Sequence, residues 1–445
     1  MNVFATGQDD EYSMEQITRT KNLFLIEDIM VIPRRNFLKC ILTGGTLLTF
    51  SHAEVFAKDA SGLPKCETRT LTRGPRHHFF GYYGICPWNR SGQYLLSLES
   101  PFQDHFPTQD EPAAIGLVDA ISGTFERISE THAWNLQQGA MLHWNPLDDD
   151  EILYNDRQGN QIISVVMNIR TGKKRIFPAA INGLSHSGRY ALSLSYGRLG
   201  RLRRTVGYEG IEDPTINVPH PNNDGVFVMD LRTGQRKLAV SISDFYQLIK
   251  DRHPELKDRH LWCNHTVFSK SDSRFFFLGR SMENGHLETG MFTADRDGDN
   301  LREVIPYGSS VSHFDWRNDK EIVATFRYQG RGRRHVLFTD GQKDYKVLGE
   351  GWLDFDGHCT FGPDGNWLAT DRKHGLNQSI IVYNVGTKRG KTLVTFDMKL
   401  KRNISGDLRC DFHPRWNRIG DAICFDGIDP KTGTRQLHIA HLDFS

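Results

Sequence analysis

With 445 residues, 38% of them hydrophobic, the chain can form one large domain or two to three ordinary ones. Its 55 basic and 54 acidic residues nearly cancel, which excludes a global electrostatic pull toward nucleic acid or acidic partners; any cationic site must be local. No apolar run reaches the roughly 18 residues of a membrane span, and the 41 glycines suit many short strands and turns.

The first element in chain order is a targeting signal over residues 1–57. Arg34-Arg35-Asn36-Phe37-Leu38-Lys39 precedes a short apolar stretch, Cys40 to Phe50, in the pattern of a twin-arginine export signal. Pro33 stands where Ser or Thr is usual. Val55-Phe56-Ala57 places small residues for a signal peptidase, and cleavage is expected after Ala57. Residues 1–29 are acidic, unlike the start of such a signal, so translation is expected to begin at Met30. The twin-arginine translocase would then be a partner during export. The mature chain would be periplasmic or secreted, with no membrane anchor and as a monomer. Cys40 follows Lys39 and does not suit a lipid anchor. Cys66, Cys86, Cys263, Cys359, Cys410 and Cys424 show no paired short spacing, so neither a zinc knuckle nor a disulfide framework is indicated.

From residue 66 one pattern recurs seven times: an aromatic or Leu anchor, a polar turn, then an apolar strand. The anchors are Trp88, Trp144, Leu184, Phe268, Trp316, Phe361 and Phe412, spaced 40 to 56 residues apart except for one gap of 84. Most copies continue through a third strand and a turn such as "NIRTG" or "DLRTG" into a fourth. Four strands per unit, seven times, predict an all-β, seven-bladed β-propeller over residues 66–445. The long gap predicts a loop/helix insertion between blades 3 and 4, at about 196–260, with a helix in "SISDFYQLIKDRHPELKDRH". Blade 7 shows only three strands before the chain ends. Cys66 to Thr72 is therefore expected to supply its outer strand and remove an open edge.

Three residues before their anchors, blades 4, 5 and 6 carry His265, His313 and His358. The innermost strand of each blade lines the channel, so these imidazoles should lie at one height on adjacent blades. That is a metal-binding arrangement, and His265, His313 and His358 are the expected ligands of a divalent ion (manganese, zinc or calcium). Cys263 and Cys410 are further candidate ligands. His186 and His413 sit in turns and read as structural. Arg198, Arg201, Arg203 and Arg204, followed by Tyr208, form a local cationic cluster able to grip carboxylate or sulfate. "HHFFGYYG" brings His77, His78, Tyr82 and Tyr83 to the front of blade 1, suited to sugar stacking and proton transfer. Gln137, Gln138 and His143 precede Trp144 near the channel. No nucleophile elbow, phosphate loop or glycosidase-like acid pair is present.

Seven blades, channel histidines and an Arg/Tyr-bearing insertion resemble the β-propeller polysaccharide lyases of the oligogalacturonate lyase and ulvan lyase type. The resemblance implies a secreted lyase cleaving an anionic, uronate-containing poly- or oligosaccharide by β-elimination. It implies a channel metal on His265, His313 and His358. It further implies that His78 or His143, Tyr208, and Arg198 or Arg204 carry the elimination, with Tyr83, Arg201, Arg203 and Gln138 binding substrate. The alternative is a non-catalytic periplasmic propeller, a binding or scaffold module; its turn "FGPDGNWLA" would look the same.

Overall fold

In the computed structural model, residues 62–398 and 406–445 are described. The targeting segment expected within residues 1–57 lies outside them. The described residues form seven four-stranded antiparallel sheets, the blades of a β-propeller. From the channel outward, blade 1 is His77–Phe79, Tyr94–Ser100, Ala113–Asp119 and Phe125–Thr131. Blades 2, 4, 5 and 6 begin at His143–Trp144, Trp262–Phe268, Phe314–Trp316 and Thr360–Phe361 and repeat the same meander. Each blade packs face to face on its neighbours, so its middle strands are buried on both sides and read as apolar runs. Leu95, Leu96 and Leu98 in blade 1 and Phe275 to Leu278 in blade 4 are all fully buried.

Ring closure uses the N-terminal strand. Lys65–Thr70 pairs antiparallel with Arg435–Asp443, in register from Lys65 opposite Asp443 to Thr70 opposite His438. Asp426 of blade 7 reinforces the seam, accepting hydrogen bonds from the backbone N–H of Phe80 and Gly81 of blade 1 (3.1 and 3.0 Å). The same carboxylate holds the buried Arg415 at 2.6 Å.

The span 196–260 proves to be two excursions around the outer half of blade 3. A helix α1, Tyr196–Leu202, interrupts the blade between its second and third strands. Gly225–Asp230 and Arg236–Ser241 then complete the sheet. A second helix α2, Ile242–Ile249, follows before blade 4, opened by a capping box between Ser241 and Asp244.

Blade 7 requires a correction of register. Its inner strand is Arg415–Trp416, so Trp416 and not Phe412 is the anchor. The indole hydrogen bonds establish the equivalence. Trp144, Trp316 and Trp416 donate Nε1–H to the carbonyls of Pro87, Val267 and Thr360 (2.7, 3.2 and 3.2 Å), in each case the residue just before the anchor of the preceding blade. Phe412 instead packs with Phe396 and Phe425 in the core between blades 6 and 7.

Candidate metal centre

Re-anchoring blade 7 puts His413 three residues before its anchor. Blades 4 to 7 therefore carry His265, His313, His358 and His413 at one position, where blades 1 to 3 carry Ile85, Met141 and Ile181. The backbone supports the alignment, for Met141, His265 and His413 all have left-handed φ, 51°, 53° and 48°. Non-glycine residues adopt that region rarely and pay a strain cost to do so.

Inside the histidines stand two tyrosines. The chain leaves blade 1 at Gly81, whose φ of 105° and close approach leave no room for a side chain: a Cβ there would lie 2.4 Å from the Gly139 nitrogen. Tyr82 and Tyr83 are thereby delivered into the channel. Tyr83 packs against His313, His358 and His413 with ring centroids 5.1 to 6.0 Å apart, and Tyr82 stacks on His265 at 5.3 Å. Both phenols are fully buried, and burial pushes their pKa values up, so they remain protonated.

Three imidazoles form a contiguous row. His313 and His358 lie 3.8 Å apart between centroids, and His358 and His413 lie 4.2 Å apart. Carboxylates orient two of them. His358 donates Nδ1–H to Asp371, 2.9 Å from each oxygen, and His313 donates Nδ1–H to Asp356 at 2.9 Å. This leaves each Nε2 as a lone pair, the tautomer that second-shell carboxylates select in metal sites. His358 Nε2 faces His413 Nε2 at 3.1 Å. Burial, reinforced by neighbouring His358, lowers the pKa of His413 well below the usual value and keeps it neutral. Burial alone would raise the Asp371 carboxyl, but contact with His358 outweighs it and holds the group anionic. Asp411 completes the row. Donor atoms of His358, His413 and Asp411 all lie within 4.8 Å of one another, and all three side chains are buried. Two or three imidazoles with a carboxylate are a fitting donor set for a first-row divalent ion.

His265 has a different neighbourhood. Its Nδ1 accepts from the Tyr82 hydroxyl at 2.6 Å and the Gln138 side-chain N–H at 3.0 Å. Burial and the nearby Arg280 cation depress its pKa well below normal, so it is a neutral acceptor. Tyr82 and His265 thus form a donor–acceptor pair able to pass a proton, and the Gln138 Oε1 beside them is buried without a partner.

The surroundings are cationic. Arg280 is buried and, among the described residues, makes no side-chain hydrogen bond or ion pair. Burial brings its pKa down to about 10, with the guanidinium still charged. Arg203 pairs with Asp407 at 3.2 Å, and Arg409 bridges Asp407 and Asp411 at 3.7 and 2.9 Å. Lys373 also contacts Asp411. A guanidinium with all its donors free in a buried site is built for a carboxylate that arrives with a ligand.

The other expected site residues lie elsewhere. Arg198 is buried and spends its guanidinium on the carbonyls of Leu261, Thr215, Val218 and Pro219, which pins α1 to the body. Arg201 pairs with Asp213 at 2.8 Å, and Arg204 pairs with Glu209 at 3.0 Å and covers Phe106. Arg203 lies near enough to His265 and Arg280 for its charge to help lower the pKa of both. Tyr208 is buried, stacked on Tyr196 at 4.3 Å, and its hydroxyl accepts from Asn155. Both nitrogens of His78 are engaged, by Gln436 of blade 7 and Glu99 of blade 1. His143 lies on the far side of the tyrosines. Cys263 and Cys410 sit in apolar clusters, where burial raises their thiols, Cys410 to about 11. The sequence singles out neither Asp411 nor Arg280 and assigns His413 to a turn. The signal for His413 is nonetheless present, since Trp-Asn recurs at 88–89, 144–145 and 416–417.

No protein-family model matches the chain, and no curated protein matches its sequence. Solved structures do match its fold. An oligogalacturonate lyase in complex with manganese superimposes with a TM-score of 0.62 at 16% identity, over 85% of this chain and 96% of that one. The oligogalacturonate lyase of Vibrio parahaemolyticus gives 0.57 at 13% identity, over 85% and 97%. TolB from Acinetobacter baumannii gives 0.38 at 14% identity, over 64% and 60%. At these identities the likeness establishes a seven-bladed β-propeller of the kind found in oligogalacturonate lyases.

Proposed function

We propose that the chain is an exported, metal-dependent lyase that cleaves a uronate-containing oligosaccharide by β-elimination. The observation that carries this reading is the placement of the unpartnered, buried Arg280 beside the four-histidine centre. His358, His413 and Asp411 would hold the ion, with His313 adjoining. A divalent ion there would act as a Lewis acid on the uronate carboxylate and make its α-proton more acidic. The manganese-bound structure of a like-folded lyase supports the metal, and the two like-folded oligogalacturonate lyases support an oligosaccharide substrate.

The residues of the chain supply the rest. Arg280, whose donors are unspent, neutralises the carboxylate. His265, neutral and lacking a proton on Nδ1, takes the proton from C5 on that nitrogen once the Tyr82 hydroxyl that occupies it turns to the leaving oxygen. The C5–H pair becomes the C4–C5 double bond, the C4–O bond breaks, and the leaving oxygen takes a proton. Tyr82, held protonated by burial and bonded to His265, supplies that proton, and His265 restores it afterwards. Gln138 Oε1 accepts from a sugar hydroxyl, and Tyr83 packs under the ring. The twin-arginine segment belongs to the same reading, because a folded, metal-loaded enzyme is the cargo such export suits.

The test is incubation of the manganese-loaded protein with oligogalacturonate and other uronate oligomers. Ultraviolet absorbance and product mass then report a new unsaturated non-reducing end. Metal and sugar binding with no unsaturated product from any uronate would replace the lyase by a binding module.

A further inference from the structure

The phenol rings that floor the histidine centre also roof a second chamber. A cavity of about 270 Å³ lies on their other side, with Tyr82, Tyr83, Trp144, Phe314, His143 and Asp315 in its walls. None of His265, His313, His358 and His413 lines it. It lies just below the roughly 300–1,000 Å³ of drug-sized ligand pockets, which suits one sugar-sized ring rather than a chain.

Two of the polar groups in its walls, His143 and Asp315, present acceptors. His143 is 8% exposed and its Nδ1 lies 2.8 Å from the Met141 carbonyl, to which it must donate. Burial lowers its pKa to about 4, so the ring is the neutral Nδ1–H tautomer, and its Nε2 is a lone pair with no partner among the described residues. Asp315 uses Oδ2 to accept from the Phe361 N–H at 2.7 Å and the Thr360 hydroxyl at 3.1 Å, and Oδ1 takes part in neither bond. Aromatic faces combined with such acceptors suit a ring that carries hydroxyl donors.

The mouth has the opposite character. Arg418 stands at the rim and spends only Nε, on the Trp88 carbonyl at 3.2 Å. Lys270 and Arg317 line the depression just outside, which shares Gly84, Cys86, His186 and Arg418 with the chamber. Lys270 makes no hydrogen bond or ion pair among the described residues, whereas the acid nearby, Asp319, accepts from the Ser271 N–H. Arg317 is already paired with Glu321 at 3.1 Å, whereas Arg418 keeps guanidinium N–H groups free among the described residues, which favours an acid group at the entrance.

We propose that the far chamber binds one hydroxylated acid of hexuronate size, ring inward against Trp144 and the tyrosines, with its carboxylate at Arg418. The site is separate from the histidine centre and does not depend on the lyase reading. Calorimetric titration of the folded propeller with monomeric galacturonate, and with galactose as the uncharged control, tests it. His413→Ala disables the near centre and should leave galacturonate binding intact. Arg418→Ala and His143→Leu should each weaken binding by about tenfold, the loss expected for one charge-assisted or buried hydrogen bond. Galactose should bind about tenfold more weakly than galacturonate to the unaltered protein and equally to Arg418→Ala. Arg418 is exposed, so its variant carries the test even if His143→Leu does not fold. Loss of galacturonate binding in His413→Ala, or unchanged affinity in Arg418→Ala, would overturn the proposal.

Discussion

Asp371→Asn isolates the proposed metal centre from the fold. Asp371 receives the His358 Nδ1–H at 2.9 Å on each oxygen and the His358 backbone N–H at 2.8 Å on one. Asparagine keeps one acceptor oxygen, enough for the backbone bond, but presents an N–H group where the second oxygen stood. It also removes the charge that makes His358 a stronger donor at Nε2. Loss of such an outer carboxylate typically weakens metal binding about 10- to 100-fold, which is about 1.4 to 2.7 kcal/mol at 25 °C. Competition against a chelating dye would measure the manganese dissociation constant, with circular dichroism to verify the fold. His265→Ala is the internal contrast, because Tyr82 and Gln138, not the row of three imidazoles, hold that ring. It should abolish turnover and leave manganese affinity within about twofold of the unaltered protein. An unchanged dissociation constant in folded Asp371→Asn would refute the proposed orientation of His358.

Arg280→Gln should lower kcat/KM on uronate oligomers about 10²- to 10³-fold, the range for removing one preorganised charge-stabilising group; comparison of kcat/KM on the two proteins checks it. Burial pushes His143, His335 and His438 down to about 4. The unfolded chain therefore binds more protons between about pH 6.5 and 4. Stability should be full above that window and fall as pH drops through it, by at most about 3 kcal/mol per histidine, visible as a falling Tm; His438→Leu should flatten the profile. Arg415→Met strands Asp426 in the blade 1–blade 7 seam and should cost about 3 to 5 kcal/mol in denaturant unfolding. Deleting residues 62–71 exposes the edge Arg435–Asp443, and the truncated chain should lose stability and associate, as sedimentation would show.

Much of this fold is legible because a propeller writes one short pattern seven times. Each anchor sits at the end of an inner strand, and each apolar run marks a strand buried on both faces. The closing strand is legible for the same reason, as blade 7 visibly lacks its fourth. The site is legible only in part. His313 and His358 can be placed together because equivalent positions on adjacent blades meet at the axis. His413 is hidden by a four-residue slip: Phe412 is an aromatic before a polar turn just as Trp416 is, and only the indole bond to the neighbouring blade separates them. Arg280 cannot be found by spacing, because it lies on a second strand and what distinguishes it is the absence of a partner. The arginine cluster draws attention by density alone. In three dimensions Arg198, Arg201 and Arg204 are consumed by carbonyls and acids of their own excursion, and Arg203 pairs with Asp407.

Anomalous diffraction from crystals grown with manganese is the most direct test of the central claim. A peak is expected between His358 Nε2, His413 Nε2 and Asp411, beside the tyrosine pair and within reach of a carboxylate held by Arg280. No peak there at saturating manganese, or a peak on residues outside the channel, would contradict it.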